Sequence, residues 1–373
     1  SAASDVYKRQ TQFKETITAG YVQGSFDLGR LSVTGGFRVE KTETEGTGAL
    51  SGVSSEEAAR RAAWVGTVTE AEQVRRTIAE FGGRQTRTGE YQQVFPGLHF
   101  KYEPIPWLIA RLGYATNIGR PTIGQLIPRT TVNFTSETIS TSNPSLKPQF
   151  ADNFDLAVEY YCEPAGVISA GVFLKELRSF IFTQGGNIVG GGADNGFNGL
   201  YEGYQMTTQF NGGAAKLKGI ELNYNQQLTF LPGWLSRFGV YANYTRMDVD
   251  GNYGEGAALT SLEPPSEIPG FNPETGNAGI SYITNKFSLR FQFNHAGRYL
   301  NSFNANRSRL LYRKARSVVD IKTTYEISKN LGLYLDIDNI LAEGDRVLEY
   351  YGGRPQVMHK MTPQIFFGIN GRL

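Results

Sequence analysis

The sequence predicts an all-β chain: an antiparallel, up-and-down sheet of about thirteen strands with the character of a transmembrane barrel wall. Three observations predict it. Apolar residues recur at every second position in one segment after another, tight turns alternate with long loops, and aromatic side chains gather at the tight-turn end. The alternation is cleanest near the C-terminus, where Leu331, Leu333, Leu335 and Ile337 are separated by Gly332, Tyr334, Asp336 and Asp338. Side chains of a strand point to opposite faces in turn, so such a segment has one apolar and one polar face.

Composition agrees and narrows the function classes. Hydrophobic residues are 40% and aromatics 12%, with 44 glycines, which suits strands and turns. The 37 basic and 35 acidic residues leave a net charge of +2, too weak a field to draw nucleic acid, so no nucleic-acid partner is expected. Cys162 is alone, which excludes an internal disulfide framework. His99, His295 and His359 are far apart in sequence, so neither a metal site nor a cofactor is expected. HExxH, GxSxG and P-loop patterns do not occur, and no enzyme is expected. There is no apolar run long enough for a transmembrane helix, a test that says nothing about alternating barrel strands. Residues 1–10 lack the pattern, an initiator Met and a signal-peptide core, and are left unassigned as a candidate foreign stretch.

Taken in order, 11–28 reads as the first strand, followed by a tight turn at Gly29 and a second strand on which Leu31, Val33, Phe37 and Val39 alternate with polar residues. A long excursion follows. Within it, about 54–82 has helical composition, with Ser55 as a candidate N-cap and a second run at 70–80, and is expected to decorate an outer loop. Strand pattern returns over 88–102 and, past Pro104 and Pro106, over 108–115. The stretch 117–148 reads as a polar loop; strands at 154–161 and 168–174 flank a short turn; 184–200, rich in Gly and Asn, reads as a mobile loop. The stretch 202–229 is long for one strand and is clean only in its second half, with Ile220, Leu222 and Tyr224. Further strands run through Phe238 to Tyr244, Ala278 to Tyr282, Phe287 to Phe293, Val319 to Ile327, the opening segment, and Ile365 to Ile369.

The short turns lie near 29, 104, 164, 232, 285 and 329, and the long loops near 44–86, 119–148, 184–201, 249–273, 301–314 and 342–358. Strict alternation puts every long loop at one end of the sheet, the layout of an outer-membrane barrel. Tyr102, Trp107, Tyr160, Phe230, Trp234, Phe238, Tyr282, Phe287 and Tyr325 flank the short turns, as an interfacial girdle would. The opposite face holds Arg38, Lys101, Arg111, Asp155, Glu159, Lys175, Glu221, Arg290, Asp320, Lys322, Asp336 and Asp338. In a packed core each of those charges would cost several kcal/mol; facing a hydrated lumen, they cost little.

Several motifs resemble the barrel landmarks of TonB-dependent receptors: Arg120-Pro121, Asn143-Pro144-Ser145-Leu146-Lys147-Pro148 followed by Asn153 and Glu159-Tyr160-Tyr161, then Gly219-Ile220-Glu221, Leu231-Pro232-Gly233, Asn243-Tyr244-Thr245 and Asp338-Asn339-Ile340-Leu341. The resemblance runs in order over 11–373. It implies a Gram-negative outer-membrane barrel of about 22 strands around an N-terminal plug that engages TonB. No plug or TonB box is visible, so the chain is expected to be the C-terminal part of a barrel that is monomeric when whole, with no energised transport of its own. A departure is the last residue: the family usually ends in Phe, this chain in Leu373, which puts efficient assembly in question.

The partners implied by the resemblance are outer-membrane lipid, the TonB system through the plug, and a small-molecule or oligosaccharide ligand. The ligand is expected to be a large, scarce solute, glycan or siderophore-like, and the pattern over 120–161 leans toward glycan receptors. The ligand contacts expected in outer loops and upper lumen are Arg120, Phe197, Tyr201, Tyr204, Tyr299, Tyr350 and Tyr351. A guanidinium binds carboxylates or hydroxyls, or pairs with a neighbouring strand; aromatic rings stack on a ligand ring, or pack within their own loops. The 143–148 motif and Leu231-Pro232-Gly233 read as backbone devices, since Pro fixes φ and restrains the residue before it. The rival class is a soluble β-rich glycan-binding or hydrolytic domain, which would need two carboxylates converging in a cleft.

Overall fold

The computed structural model describes residues 11–50, 53, 55–253, 265–304, 306–350 and 353–371. Residues 1–10, Tyr351 and Leu373, on which sequence expectations fall, lie outside the described residues. The strands in chain order are β1 (Gln12–Leu28), β2 (Leu31–Leu50), β3 (Gly83–Ile105), β4 (Leu108–Gly119), β5 (Thr130–Asn133), β6 (Thr138–Thr141), β7 (Gln149–Cys162), β8 (Gly166–Arg178), β9 (Ile181–Ile188), β10 (Gln205–Asn211) and β11 (Ala214–Gln227). They continue with β12 (Phe238–Asn252), β13 (Glu274–Ile283), β14 (Phe287–Ala296), β15 (Tyr299–Asn304), β16 (Leu311–Arg313), β17 (Arg316–Ser328), β18 (Leu331–Asp338), β19 (Asp345–Glu349), β20 (Pro355–His359) and β21 (Gln364–Gly371). Three helices, α1 (Ser55–Ala62), α2 (Glu70–Phe81) and α3 (Ile123–Leu126), lie in the long connections.

One sheet has thirteen strands in the order β1-β2-β3-β4-β7-β8-β11-β12-β13-β14-β17-β18-β21. Every neighbouring pair is antiparallel. Register carries the apolar face across the sheet. Leu112 stands opposite Phe100 and Leu156, Leu156 opposite Val172, and Val172 opposite Ile220. On the other half, Ile280 stands opposite Val240 and Phe291, Phe291 opposite Ile321, Ile321 opposite Ile337, and Ile337 opposite Ile365. These residues are not buried by protein: Leu112, Leu156, Val172 and Ile220 are 43–50% exposed. The opposite face is wet and paired. Arg111 Nε donates to Glu159 Oε1 at 2.9 Å, and the Asp320 carboxylate accepts from the Asn339 amide at 2.7 Å.

The apolar face ends abruptly toward the long loops. On β2, Val39 gives way two residues later to Lys41, which pairs with Glu43 at 2.7 Å and with Glu90 on β3 at 3.1 Å. The same change on neighbouring strands brings Arg178 to Asp152, Lys216 to Glu176 and Lys218 to Asp248, at 3.1–3.2 Å. At 20 and 23 residues, β2 and β3 are about twice the length a bilayer requires. They carry α1 and α2 on a projecting arm. At the tight-turn end, Trp234 packs on Phe238 (5.6 Å), Phe238 on Tyr282 (5.0 Å) and Tyr282 on Phe287 (6.4 Å). Among the described residues β1 and β21 are the edges of this sheet.

The long loops differ from their sequence reading. They contribute a second sheet of eight short strands, in the order β20-β19-β16-β15-β9-β10-β6-β5. The stretch read as a mobile loop from 184 begins inside β9, where Gln184 is fully buried and donates from Nε2 to Asn187 Oδ1 at 2.7 Å. Likewise the 202–229 segment is two strands, β10 in the second sheet and β11 in the first, separated at Gly212 and Gly213. Strands of three to eight residues with neither clean alternation nor flanking turn dipeptides leave little periodic signal. Parallel pairings between chain-distant strands, β10 with β6 and β9 with β15, leave none. The core lies where the two sheets meet: Leu177, Phe180, Phe182, Leu217, Tyr253, Ile268, Leu300, Phe303 and Tyr312 are each at most 7% exposed.

Candidate functional site

The loop-strand end presents two separate aromatic clusters, and the expected ligand residues divide between them. The first is built by the loop after β9. Asn195 fixes its course: Oδ1 accepts from the amides of Phe197 (2.8 Å) and Gly199 (3.0 Å), while Nδ2 donates to the carbonyls of Gly190 and Leu200, both at 2.9 Å. An Asn side chain bonding backbone on both sides is a turn device of this residue type. The loop so held brings Tyr201 against Phe197 at 5.8 Å and Tyr204 at 5.5 Å, with Phe134 from the β5–β6 turn at 6.2 Å. Burial pushes the Tyr201 hydroxyl above its usual pKa. Asn198 Nδ2 donates to the Val53 carbonyl at 3.3 Å and ties the loop to the helical arm.

That arm is held by charge. Glu57 is bonded by Arg60 (3.1 Å), Arg61 (2.9 Å) and Arg75 (2.6 Å), and Glu72 by Arg60, Arg75 (3.1 Å) and Arg76 (2.7 Å). Arg61 also reaches Glu80 at 3.0 Å, and the Arg60 and Arg76 guanidiniums flank the Trp64 ring at 5.7 Å each. The expected helical insertion is thus two helices clasped through their acidic and basic residues. Thr69 caps the second by accepting from the Glu72 amide at 3.3 Å.

The second cluster lies on β15, β16 and β19. Tyr312 and Tyr350 are 5.7 Å apart, the Arg298 guanidinium sits 3.8 Å from the Tyr312 ring centre, and Arg307 sits 5.4 Å from that of Tyr350. The Tyr312 hydroxyl donates to Glu267 Oε2 at 2.9 Å, and burial raises its pKa far above the usual phenol value. Tyr299 is near this cluster but on the other face: it stands opposite Arg313, whereas Leu300 stands opposite Tyr312. Tyr350 is 38% exposed. Beside it Asn306, Ser308, Arg309, Glu349 and Arg354 line a cleft of about 760 Å³.

Sequence reasoning missed the aromatic core to which Tyr312 of the second cluster belongs. Tyr253 is fully buried, stacks on Phe303 at 4.5 Å, meets Phe182 edge-on at 4.8 Å, and donates to the Glu267 carbonyl at 2.5 Å. A cavity of about 620 Å³ opens beside this core, lined by Gln149, Phe182, Thr207, Phe271, Ser302 and Asn304. Each of these aromatics lies in a stretch read as loop or at a strand end; the available signal was Phe180-x-Phe182, two rings on one face.

Arg120 stands apart from both clusters. Its guanidinium bonds Glu40 on the polar face of β2 and comes within 3.7 Å of Glu15 on β1. Arg38 holds the other Glu40 oxygen at 2.9 Å. The segment after Arg120 lies flat on β2 because Gly46 and Gly48 have no side chains: a Cβ on Gly48 would meet the Pro128 carbonyl at 1.9 Å. Asparagine side chains tie the 143–148 motif down at both ends. Asn143 Nδ2 donates to the Gln209 carbonyl at 3.0 Å, and Asn211 exchanges bonds of 2.8 Å with the Lys147 backbone. Among the described residues no group of three or more His, Cys, Asp or Glu side chains could hold a metal ion.

The chain was compared with known proteins. The family model described as TonB dependent receptor-like, beta-barrel matches residues 2–340. No curated protein sequence matches. Among solved structures, the ferric-catecholate import receptor Fiu of E. coli K12 aligns with a TM-score of 0.63 at 14% identity, over 97% of this chain and 45% of that one. The copper transporter OprC aligns at 0.61 and 11% identity, over 97% and 48%. The ferric citrate transporter FecA aligns at 0.60 and 14%, over 97% and 46%. The chain therefore spans about half the length of these solved structures, and the likeness at such identity is one of fold.

Proposed function

Because the chain belongs to the family of TonB-dependent receptor-like β-barrels, we propose that it forms outer-membrane wall in a receptor that binds and imports a large, scarce solute with TonB-derived energy. The observation that carries this reading is the continuous apolar face of the thirteen-stranded sheet, exposed and backed by a charged face. A soluble protein would cover so large an apolar surface with another layer; lipid covers it here, and the charged face lines a hydrated lumen. The short turns face the periplasm and the loop strands face outward. The protein is a transporter component of the Gram-negative outer membrane, monomeric as a whole barrel, with no catalytic centre.

Its ligand is glycan or siderophore-like, and contacts fall on Phe197, Tyr201 and Tyr204 in one loop cluster, on Tyr350 in the other and on Tyr299 near it, with Tyr351, outside the described residues, as a further candidate. Arg120 acts at the wall, either on ligand or through Glu40. Fiu, OprC and FecA, which handle a ferric catecholate, copper and ferric citrate, support transport as the activity class. The test is solubility: the expressed chain requires detergent or lipid to remain dispersed. Quantitative recovery as a monomer in plain buffer overturns the reading.

A further inference from the structure

The two loop lobes are equally rich in charge and opposite in how they treat it. In the helical arm, all four arginines (Arg60, Arg61, Arg75, Arg76) are bonded to Glu57, Glu72 or Glu80. The other lobe, segments 298–316 and 343–360, carries nine basic residues against three acidic ones. Asp345 is taken by Arg313 at 3.4 Å and Glu349 by Arg354 at 2.8 Å. Arg298, Arg309, Lys314, Arg316 and Arg346 form no ion pair with another described residue. The nearest partner of the Arg316 guanidinium is the Met361 sulfur at 3.2 Å, and the Nε atoms of Arg313 and Arg316 are buried without a hydrogen-bond partner.

Gathering like charge with too few counter-ions is unfavourable, and buried guanidinium donors left unbonded add to the cost. The helical arm shows that the same chain neutralises its arginines elsewhere. We propose that the cleft beside Tyr350 binds an anionic oligosaccharide, one whose sugar rings carry carboxylate or phosphate groups. The inference rests on the reading that the outer loops meet the transported ligand. Arg309 lines the cleft without an ion pair to another described residue, its charge acting on Glu349, to which Arg354 is bonded at 2.8 Å. Asn306 and Ser308 add neutral polar groups to the lining, and the partly exposed Tyr350, next in the chain to Glu349, carries the Arg307 guanidinium on its ring. The Arg298 guanidinium on Tyr312, which packs against Tyr350, adds positive potential behind that ring.

The experiment is calorimetric titration of the whole chain in detergent with trigalacturonate and, separately, with uncharged maltotriose. Trigalacturonate is expected to bind, more weakly as salt is raised, with maltotriose at least about tenfold weaker. Arg309→Gln is expected to weaken trigalacturonate about tenfold, the scale of one charge-assisted hydrogen bond, and Arg298→Gln, which acts only through its field, about threefold. Lys216→Gln, on the outer face of β11, leaves it unchanged. Circular dichroism of each variant separates a lost contact from a lost fold. Equal binding of both sugars, no binding of trigalacturonate, or unchanged binding by both arginine variants overturns the proposal. Each of those results leaves the membrane reading to its own test, since the need for detergent does not depend on this cleft.

Discussion

Arg120 and Glu40 are 80 residues apart in sequence, and they are joined in an ion pair on the polar face of the sheet. The Glu40 side chain is 8% exposed and its other oxygen is held by Arg38, so Arg120 closes a carboxylate bridge from the end of β4 back to β2. Only the folded sheet brings these residues together, because β3 and both helices of the arm intervene.

Removing one partner leaves the other poorly solvated. Arg120→Ala is expected to destabilise the chain by about 1 kcal/mol, the loss of one of two charged partners from a carboxylate that Arg38 still holds. Arg120→Lys should recover part of the loss. Urea titration of the refolded chain in lipid vesicles measures both; equal stability of all three proteins would show that the bridge contributes nothing.

The face assignment is testable by one charge placed on each side of β7. Val158 stands opposite Ala110 and Ala170 on the apolar face, while Asp155 points the other way. Val158→Arg is expected to cost about 1–2 kcal/mol of folding stability in bilayers, between the midplane and interfacial penalties for Arg on the lipid face, since Val158 is two residues from the girdle residue Tyr160. Asp155→Asn, on the hydrated side, should change stability by less than about 0.5 kcal/mol. Folded and unfolded fractions on semi-native gels after equilibration in urea would decide it.

The helical arm should respond to acid before the wall does. Hydrogen bonds from Arg61, and for Glu72 from Arg60, hold the Glu57 and Glu72 carboxyls below the usual carboxylate range. Groups with depressed folded pKa values stabilise fully above the unfolded value and lose that contribution as pH falls through the folded one. The two helices are therefore expected to separate at pH below about 4. With Trp107 and Trp234 replaced by Phe, the fluorescence of Trp64, flanked by Arg60 and Arg76, reports the opening, while the far-ultraviolet strand signal stays unchanged. A Trp64 signal constant to pH 3 would show that the carboxylates do not hold the arm.

Tyr253 is where the two sheets are pinned together. Tyr253→Phe removes the bond to the Glu267 carbonyl and is expected to cost about 1 kcal/mol. Tyr253→Ala also leaves a cavity between Phe182 and Phe303 and should cost about 3–5 kcal/mol. The loss should fall on the outer sheet: hydrogen exchange is expected to quicken in β9 and β15 and to remain slow in β12 and β14. Uniform quickening would mean that the two sheets unfold as one.

By itself the sequence determined the wall. Residues such as Leu331 to Ile337 alternate because one face meets an apolar phase and the other water, and that demand is written in every second residue of each strand. The order of short turns and long loops followed from the same local signals, and the helical arm from its composition, although Ser55, read as an N-cap, is the first residue of α1 and the cap described is Thr69. What tertiary structure alone decided lies in the loops. Gln184, read as part of a mobile loop, is buried in β9, and Tyr253 forms a core with Phe303 of β15, 50 residues away. The expected ligand residues were chosen as loop aromatics, and the sequence could not say that Tyr201 and Tyr350 belong to different clusters or that Arg120 answers Glu40. Those facts depend on pairings between distant short strands and on which charges find partners. Neither has a period along the chain, so neither is visible until the chain is folded.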